Sequence, residues 1–161
     1  IFQGKYAGVV NVSSIRVQMA GDTQELLNQL RSLEDADIEA AMLAVGEAIR
    51  TSTLERFDRG KDPEGRPWKT SIRAQKDGGK TLVHTTQLRN LIHVDYSSKG
   101  VAVGTNLIYA ATHQFGDRNR TIRTKNGGVA HIEIPARPYM GVTDEDMREI
   151  TRIIRHAVTG G

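Results

Sequence analysis

The chain contains no cysteine. A disulfide framework, a thiol nucleophile and a zinc site of the cysteine type are therefore excluded. Long apolar runs are missing as well. The longest, Ala40–Val45, has six residues, whereas a bilayer-spanning helix takes about 20. No basic-then-apolar leader opens the sequence, so no secretory signal is expected. Internal repeats and low-complexity segments are lacking, and Trp68 is the only tryptophan. What is present is 161 residues, about the length of one domain. A chain of that size buries roughly 68–70% of its unfolded surface, so it folds without metals or disulfides.

Charge is modest in total and uneven in place. The formal net charge is +3. Residues 21–58 carry nine acids and three bases, while residues 59–140 carry fourteen bases and six acids. An acidic stretch followed by a basic one can build two opposed patches, which suit head-to-tail self-association or an anionic partner. Two ordinary solvated faces would look the same. The basic stretch is too dilute to establish nucleic-acid binding by composition.

Ser14–Ala20 alternates, with Ile15, Val17 and Met19 apolar, and predicts a half-buried strand. Gly21-Asp22 interrupts it, and Asp22 with Glu25 resembles a capping box. Leu26, Leu27, Leu30 and Leu33 then recur at helical spacing. A second helix, capped by Asp35, is expected to run to about Phe57 on a stripe of Ile38, Met42, Val45, Ile49 and Phe57, with Leu54 beside it. Residues 58–80 lose that period and collect Gly and Pro, as a loop with at most short structure does. A short helix is predicted at Thr85–Leu91, capped by Thr85 or Thr86, and another at Asn106–Gln114, stopped by Gly116. Ile92–Tyr96 and Val101–Val103 read as a hairpin around Ser97–Gly100. A second hairpin is expected from Asn119–Thr124 and Val129–Ile134 around Lys125-Asn126-Gly127-Gly128, because Asn-Gly suits a tight β-turn. Asp144–Ala157 closes the chain as a helix capped by Thr143, with Met147, Ile150, Ile153 and Ile154 as its stripe. The order of elements predicts an α+β fold. A small antiparallel sheet packs against N-terminal and C-terminal helices, with an extended β-hairpin arm.

Three clusters are more specific than generic core. In the first, Phe57 ends a long helix, Asp62-Pro63-Glu64-Gly65 makes a turn, and Trp68 follows. The turn would fold Trp68 back onto the helix end. That describes a helix terminator with a core tryptophan, or a subunit contact. In the second, a strand ending at Gly104 gives way to a helix with Tyr109 and His113 four residues apart on one face, then Phe115 and Gly116. Such a pair could do acid–base chemistry. No nucleophile, carboxylate pair or glycine-rich phosphate loop accompanies it, which favours a packed, hydrogen-bonded pair. In the third, Pro135 and Pro138 hold an extended linker with Arg137 between them. Arg137 reads as a surface residue, or as a charge held out to an acidic neighbour such as the 21–58 helices. His93 and Asp95, at i and i+2 of a strand, could begin a metal site. No third ligand is placed by spacing, so an exposed strand face is expected. The arm residues Arg118, Arg120, Arg123 and Lys125 could touch DNA phosphate or reach onto a neighbouring subunit; the second is the reading taken.

The residues F-x-x-x-x-D-P-x-G-x-x-W, L-R-N-L-I, V-G-T-N-x-x-Y-A-x-x-H-Q-F-G and I-P-A-R-P-Y-M-G, in that order and followed by a helix, resemble the phage virion morphogenesis family. This is the tail completion protein of Mu-like and other contractile-tailed phages and of many prophages. The resemblance covers about Ile15 to Val158. Residues 1–12 fall outside it and read as an arm or a cloning remnant, leaving 13–161 as the single domain. The resemblance implies a structural protein of the virion tail or neck, assembled in the bacterial host cytoplasm, with no catalytic set, cofactor or membrane. It implies a role at the head-proximal end of the tail. Related neck and tail-terminator proteins form rings, usually hexamers. The implied partners are further copies of the chain, tail tube and sheath proteins, a head connector or neck protein, and DNA passing through the lumen without sequence-specific binding. The alternative is a DNA-binding module using the basic 59–140 segment.

Overall fold

A computed structural model describes residues 8–11, 14–17, 22–32 and 37–159. Strands β1 (Gly8–Asn11) and β2 (Ser14–Val17) come first, then helices α1 (Asp22–Ser32) and α2 (Ile38–Arg59). The short helices α3 (Ile72–Asp77) and α4 (Gln87–Asn90) lead to strands β3 (His93–Ser97) and β4 (Gly100–Gly104). Helix α5 (Ala110–Phe115), strands β5 (Asp117–Arg123) and β6 (Val129–Ile134), and helix α6 (Asp144–Thr159) complete the order. The fold is α+β, with both sheets antiparallel.

One sheet has the order β1-β2-β4-β3. Ile15 pairs with Val103, and Val103 with Val94, so the apolar positions of three strands fall in one row. Helix α2 lies across β3 and β4 and also packs on α6, which in turn packs on α1. The central place of α2 explains its wide buried surface: Ala41, Met42, Val45, Gly46, Ile49, Thr53, Arg56 and Phe57. Leu27 and Leu30 from α1, and Met147, Ile150 and Ile154 from α6, close the core. The apolar periods of the sequence thus mark the faces that are buried.

Several local expectations change. The strand expected at Ser14–Ala20 is seen as Ser14–Val17; residues 18–20 and Leu33 lie outside the described residues. Residues 8–11, grouped with the arm or remnant, form the edge strand β1, paired from Gly8↔Val17 to Asn11↔Ser14. Four residues offer too short a pattern to announce a strand. The cap of α2 is Asp37, whose Oδ1 accepts from the Ala40 amide at 2.9 Å; Asp35 lies outside the described residues. Thr86 occupies the N-cap position of α4 with φ of 57° but makes no side-chain cap bond there. Helix α5 starts at Ala110 instead of Asn106. The Thr105 hydroxyl accepts from the Leu107 amide at 3.4 Å and the Leu107 carbonyl from the Ala110 amide at 3.0 Å. Those local bonds hold residues 105–110 as a turn. At the chain's end, Thr143 caps α6 as expected, its Oγ1 accepting from the Asp146 amide at 3.0 Å.

Candidate functional site

The three sequence clusters meet around Phe57. The chain leaves α2 through Gly60 and doubles back at Asp62–Gly65. The Asp62 carbonyl accepts from the Gly65 amide at 2.9 Å, and its carboxylate accepts from the Arg66 amide at 2.8 Å. The Trp68 amide then bonds the Gly60 carbonyl at 2.9 Å. This tight reversal lays the Trp68 ring edge-on against Phe57, with centroids 5.5 Å apart. Trp68 is 7% exposed, and its Nε1 donates to the Pro138 carbonyl at 2.8 Å. Tyr139 covers another side of Phe57, at 5.2 Å between centroids. Burial pushes its phenol well above the ordinary value. Trp68 is thus the core tryptophan of a helix terminator.

Gln114 ties the second cluster to the third. Its Oε1 accepts from the amides of Tyr139 and Met140, both at 3.1 Å, and its Nε2 donates to the Met140 carbonyl at 3.0 Å. One side chain thus satisfies three backbone groups of a proline-held linker that lacks its own ladder. Gly116 follows at φ of 77°, and a Cβ there would lie 2.8 Å from the Ala136 nitrogen and the Ile134 carbonyl oxygen. Only glycine fits that turn. Gly104 pairs with both Ser14 and His93 in the sheet.

Tyr109 and His113 do meet, ring edge to ring face, 5.8 Å apart. The Tyr109 hydroxyl reaches Gln87 at 3.5 Å, and His113 Nδ1 is enclosed without a hydrogen-bond partner among the described residues. Burial, and then the charge of Arg137, hold the imidazole below its ordinary value. The pair is packed but does not share the hydrogen bond expected of it. Arg137 is not a surface residue: it is 5% exposed, with Nε donating to the Lys69 carbonyl at 2.7 Å. Its amide bonds the His113 carbonyl at 2.7 Å, which draws the side chain inward. His93 Nε2 and Asp95 Oδ2 are 3.4 Å apart on an exposed strand face. No group of three metal-ligating side chains occurs among the described residues.

The hairpin of β5 and β6 stands apart from this junction. It packs on itself, and no other described element makes more than marginal contact with it. Register pairs Ile122↔Ala130 and Arg120↔Ile132 put Ile122, Ala130 and Ile132 on one face together with Arg120, with Ile122 and Ile132 exposed. Arg118, Arg120, Arg123 and Lys125 are exposed too; Arg120 lies 3.8 Å from Asp117.

The model of the phage virion morphogenesis family matches residues 20–159. The chain belongs to the phage virion morphogenesis family. Among its relatives is "Mu-like prophage FluMu G protein 2" of Haemophilus influenzae, 30% identical over 136 residues, covering 83% of this chain and 89% of the relative. Another is "Putative capsid assembly protein G" of Escherichia phage Mu, 32% identical over 159 residues, covering 93% of each chain. No solved structure matches. No helix among the described residues is long and apolar enough to cross a membrane.

Arg56 and Asp146 are structural residues outside the three motif sets, and Gln114 is one within the second. Arg56 and Asp146 form a buried ion pair between α2 and α6. The signal for Asp146 was present, since Thr143-x-x-Asp146 has the spacing of a capping box. The Thr143 amide indeed donates to Asp146 Oδ2 at 2.8 Å. Nothing in sequence spacing pointed to Arg56 or to the triple role of Gln114.

Proposed function

We propose that the protein completes or terminates the phage tail at its head-proximal end and closes into a ring, of six subunits, for head–tail joining. The observation that carries this reading is the hairpin of β5 and β6. It is a two-stranded ribbon that no other described element covers, with Ile122 and Ile132 exposed beside Arg120 on one face and Val129 exposed on the other. Such a ribbon is marginal in water by itself, and a neighbouring copy offers the cover. Identical subunits joined head to tail close into a ring when the rotation between them closes. The acidic 21–58 and basic 59–140 stretches supply the two unlike patches that such a joint requires. The description of the phage Mu relative as a capsid assembly protein suits a position where head meets tail.

On this reading the protein has no substrate or cofactor. Its work is docking: one face to tail tube and sheath, the other to the head connector or neck protein. DNA passes through the lumen without sequence-specific contact. Assembly takes place in the bacterial host cytoplasm, and the finished ring resides in the virion neck.

Light scattering at low and moderate salt tests the reading. A defined mass of six subunits, unchanged by added DNA, is expected. A chain that stays monomeric at high concentration, with tail particles that carry no ring at their head end, would overturn it. The exposed arm arginines make DNA binding the competing outcome. Its signature is duplex affinity that falls steeply with salt.

A further inference from the structure

Arg137 carries an electrostatic demand that the described residues of its own subunit do not meet. A guanidinium carries five N–H donors in a rigid fork. Here Nε is used on the Lys69 carbonyl at 2.7 Å, and Nη1 reaches the Pro135 carbonyl at a long 3.5 Å. Nη2 has no partner among the described residues. Carbonyls orient the fork but do not neutralise it, and no carboxylate among the described residues pairs with Arg137 or offsets its desolvation. The contrast with Arg56 is direct: that residue, also buried, has Asp146 at 2.7 Å. A buried cation without a counter-charge is costly, and its partner is ordinarily supplied.

The opening to Arg137 is small but real. Among the described residues, the fully enclosed polar side-chain atoms without partners are Arg89 Nε and His113 Nδ1. Arg137 Nη2 is not one of them, and the residue keeps 5% of its surface exposed. Two rigid supports hold Arg137 in place: the proline-held linker and α5, joined by the bond from the Arg137 amide to the His113 carbonyl. A recessed, single, preoriented fork suits one planar carboxylate in bidentate contact. It does not suit tracking along a phosphate backbone, which takes rows of exposed Lys and Arg.

We propose that Arg137 is the receptor for one carboxylate carried by a second copy of this chain. This rests on the ring reading above. Charge supplies the source. The acids of the 21–58 stretch include Glu25 and Glu39, which are exposed on α1 and α2 and form no ion pair among the described residues. Glu47, Glu55 and Asp58, by contrast, are already held by Arg50, Arg59 and Arg89. The donor carboxylate is assigned to this acidic stretch of the neighbouring copy, with Glu25 and Glu39 as its exposed helix-borne candidates. His113 reports on the contact, because the Arg137 charge that depresses its imidazole is neutralised on docking.

The test uses the full chain. Arg137→Lys keeps the charge and loses the fork. It is expected to fold with a lowered melting point, since the Nε bond to the Lys69 carbonyl is lost, while its subunit dissociation constant rises at least tenfold. Glu25→Gln combined with Glu39→Gln should weaken assembly similarly and add little to Arg137→Lys. Wild-type assembly by Arg137→Lys would overturn the proposal. A second arm separates this failure from failure of the ring. In the unassembled chain, titration with sodium acetate should give a saturable NMR shift at the Arg137 Nε–H and the His113 ring. A response linear in acetate, or saturation by inorganic phosphate in place of acetate, would also overturn it. This arm stands even if no ring forms or if Arg137→Lys does not fold.

Discussion

Arg56 Nη2 lies 2.7 Å from Asp146 Oδ2, joining the last turn of α2 to the first turn of α6 across 90 positions of chain. The same guanidinium donates through Nη1 to the carbonyls of Tyr139 and Gly141, at 3.2 and 3.0 Å. Asp146 is itself bonded to the Thr143 amide. The pair therefore fixes where α6 begins and where the preceding linker runs. Burial pulls Arg56 below its ordinary value, and Asp146 acts in the opposite direction. Asp146→Ala is expected to destabilise the subunit by about 3–5 kcal/mol, since it strands a buried cation. Adding Arg56→Met should recover part of that loss. Urea denaturation of the three variants measures it; equal stability of wild type and Asp146→Ala would contradict it.

Trp68 stacks its edge on Phe57 and holds the linker through Pro138. Trp68→Ala is expected to cost about 3–5 kcal/mol, the range for large aromatics removed from a core. Trp68→Phe keeps most of the apolar area but strands the Pro138 carbonyl, so about 1–3 kcal/mol is expected. Thermal melts rank the variants. A wild-type fluorescence maximum typical of water-exposed indole would refute the placement.

Gly46 sits where α2 crosses the sheet. A Cβ at this position would lie 2.2 Å from Val94 Cγ1 and 2.8 Å from Val101 Cγ2. In an exposed helix, Gly→Ala would stabilise by up to about 1 kcal/mol. Here the clash reverses the sign. Gly46→Ala should destabilise by about 1–3 kcal/mol through overpacking. Pairing it with Val94→Ala should relieve part of the penalty, and a stabilised single variant would show that α2 can lift off the sheet freely.

The main elements were legible because their apolar periods are strong. Leu27 and Leu30, Met42, Val45 and Ile49, and Met147, Ile150 and Ile154 are buried as their spacing requires. The two hairpins were legible from their turns. The edge strand β1 was not, because its pairing depends on β2 and not on its own four residues. The fold-back of Trp68 could be read from the Asp-Pro-x-Gly turn. Arg137 could not be placed, since a charged residue between two prolines resembles surface in every local respect. What buries it is non-local: the carbonyls of Lys69 and His113. Gln114 and Arg56 were invisible for the same reason, as each serves backbone groups about 25 and 85 residues away.

His113 should make stability pH-dependent. Its imidazole is held below the ordinary value of 6.5, first by burial and then by Arg137. The unfolded chain therefore takes up this proton at a higher pH than the folded one. Stability attributable to His113 is full above about pH 6.5 and falls as pH drops toward the lower folded value, then levels off. His113→Gln should flatten the stability profile between pH 7 and 5. Profiles of equal slope for the two proteins would show that His113 does not govern this range.

The arm gives the sharpest separation between subunit folding and assembly. Its strands pair with each other from Arg123↔Val129 back to Asp117↔Ile134, so the ribbon is locally determined. Its residues are largely exposed, and the core of the subunit draws on none of them. The root is fixed separately, by Gly116 and by the Arg137 amide bonded to the His113 carbonyl. Replacing residues 119–132 with a short Gly-Ser link should therefore leave circular dichroism and melting close to those of the wild type, after allowing for the strands removed. If the apolar face of Ile122 and Ile132 lies on a neighbouring copy, the same deletion abolishes the ring. Ile122→Ser with Ile132→Ser should weaken it while the arm remains. Replacing Arg118, Arg120 and Arg123 by Gln should leave a milder defect, because exposed charges contribute about 0–1 kcal/mol each. An unfolded deletion variant would assign the hairpin to the core. A ring that forms normally without the arm would assign it another partner, with DNA the first candidate, and then the arginine variant should be the one that fails.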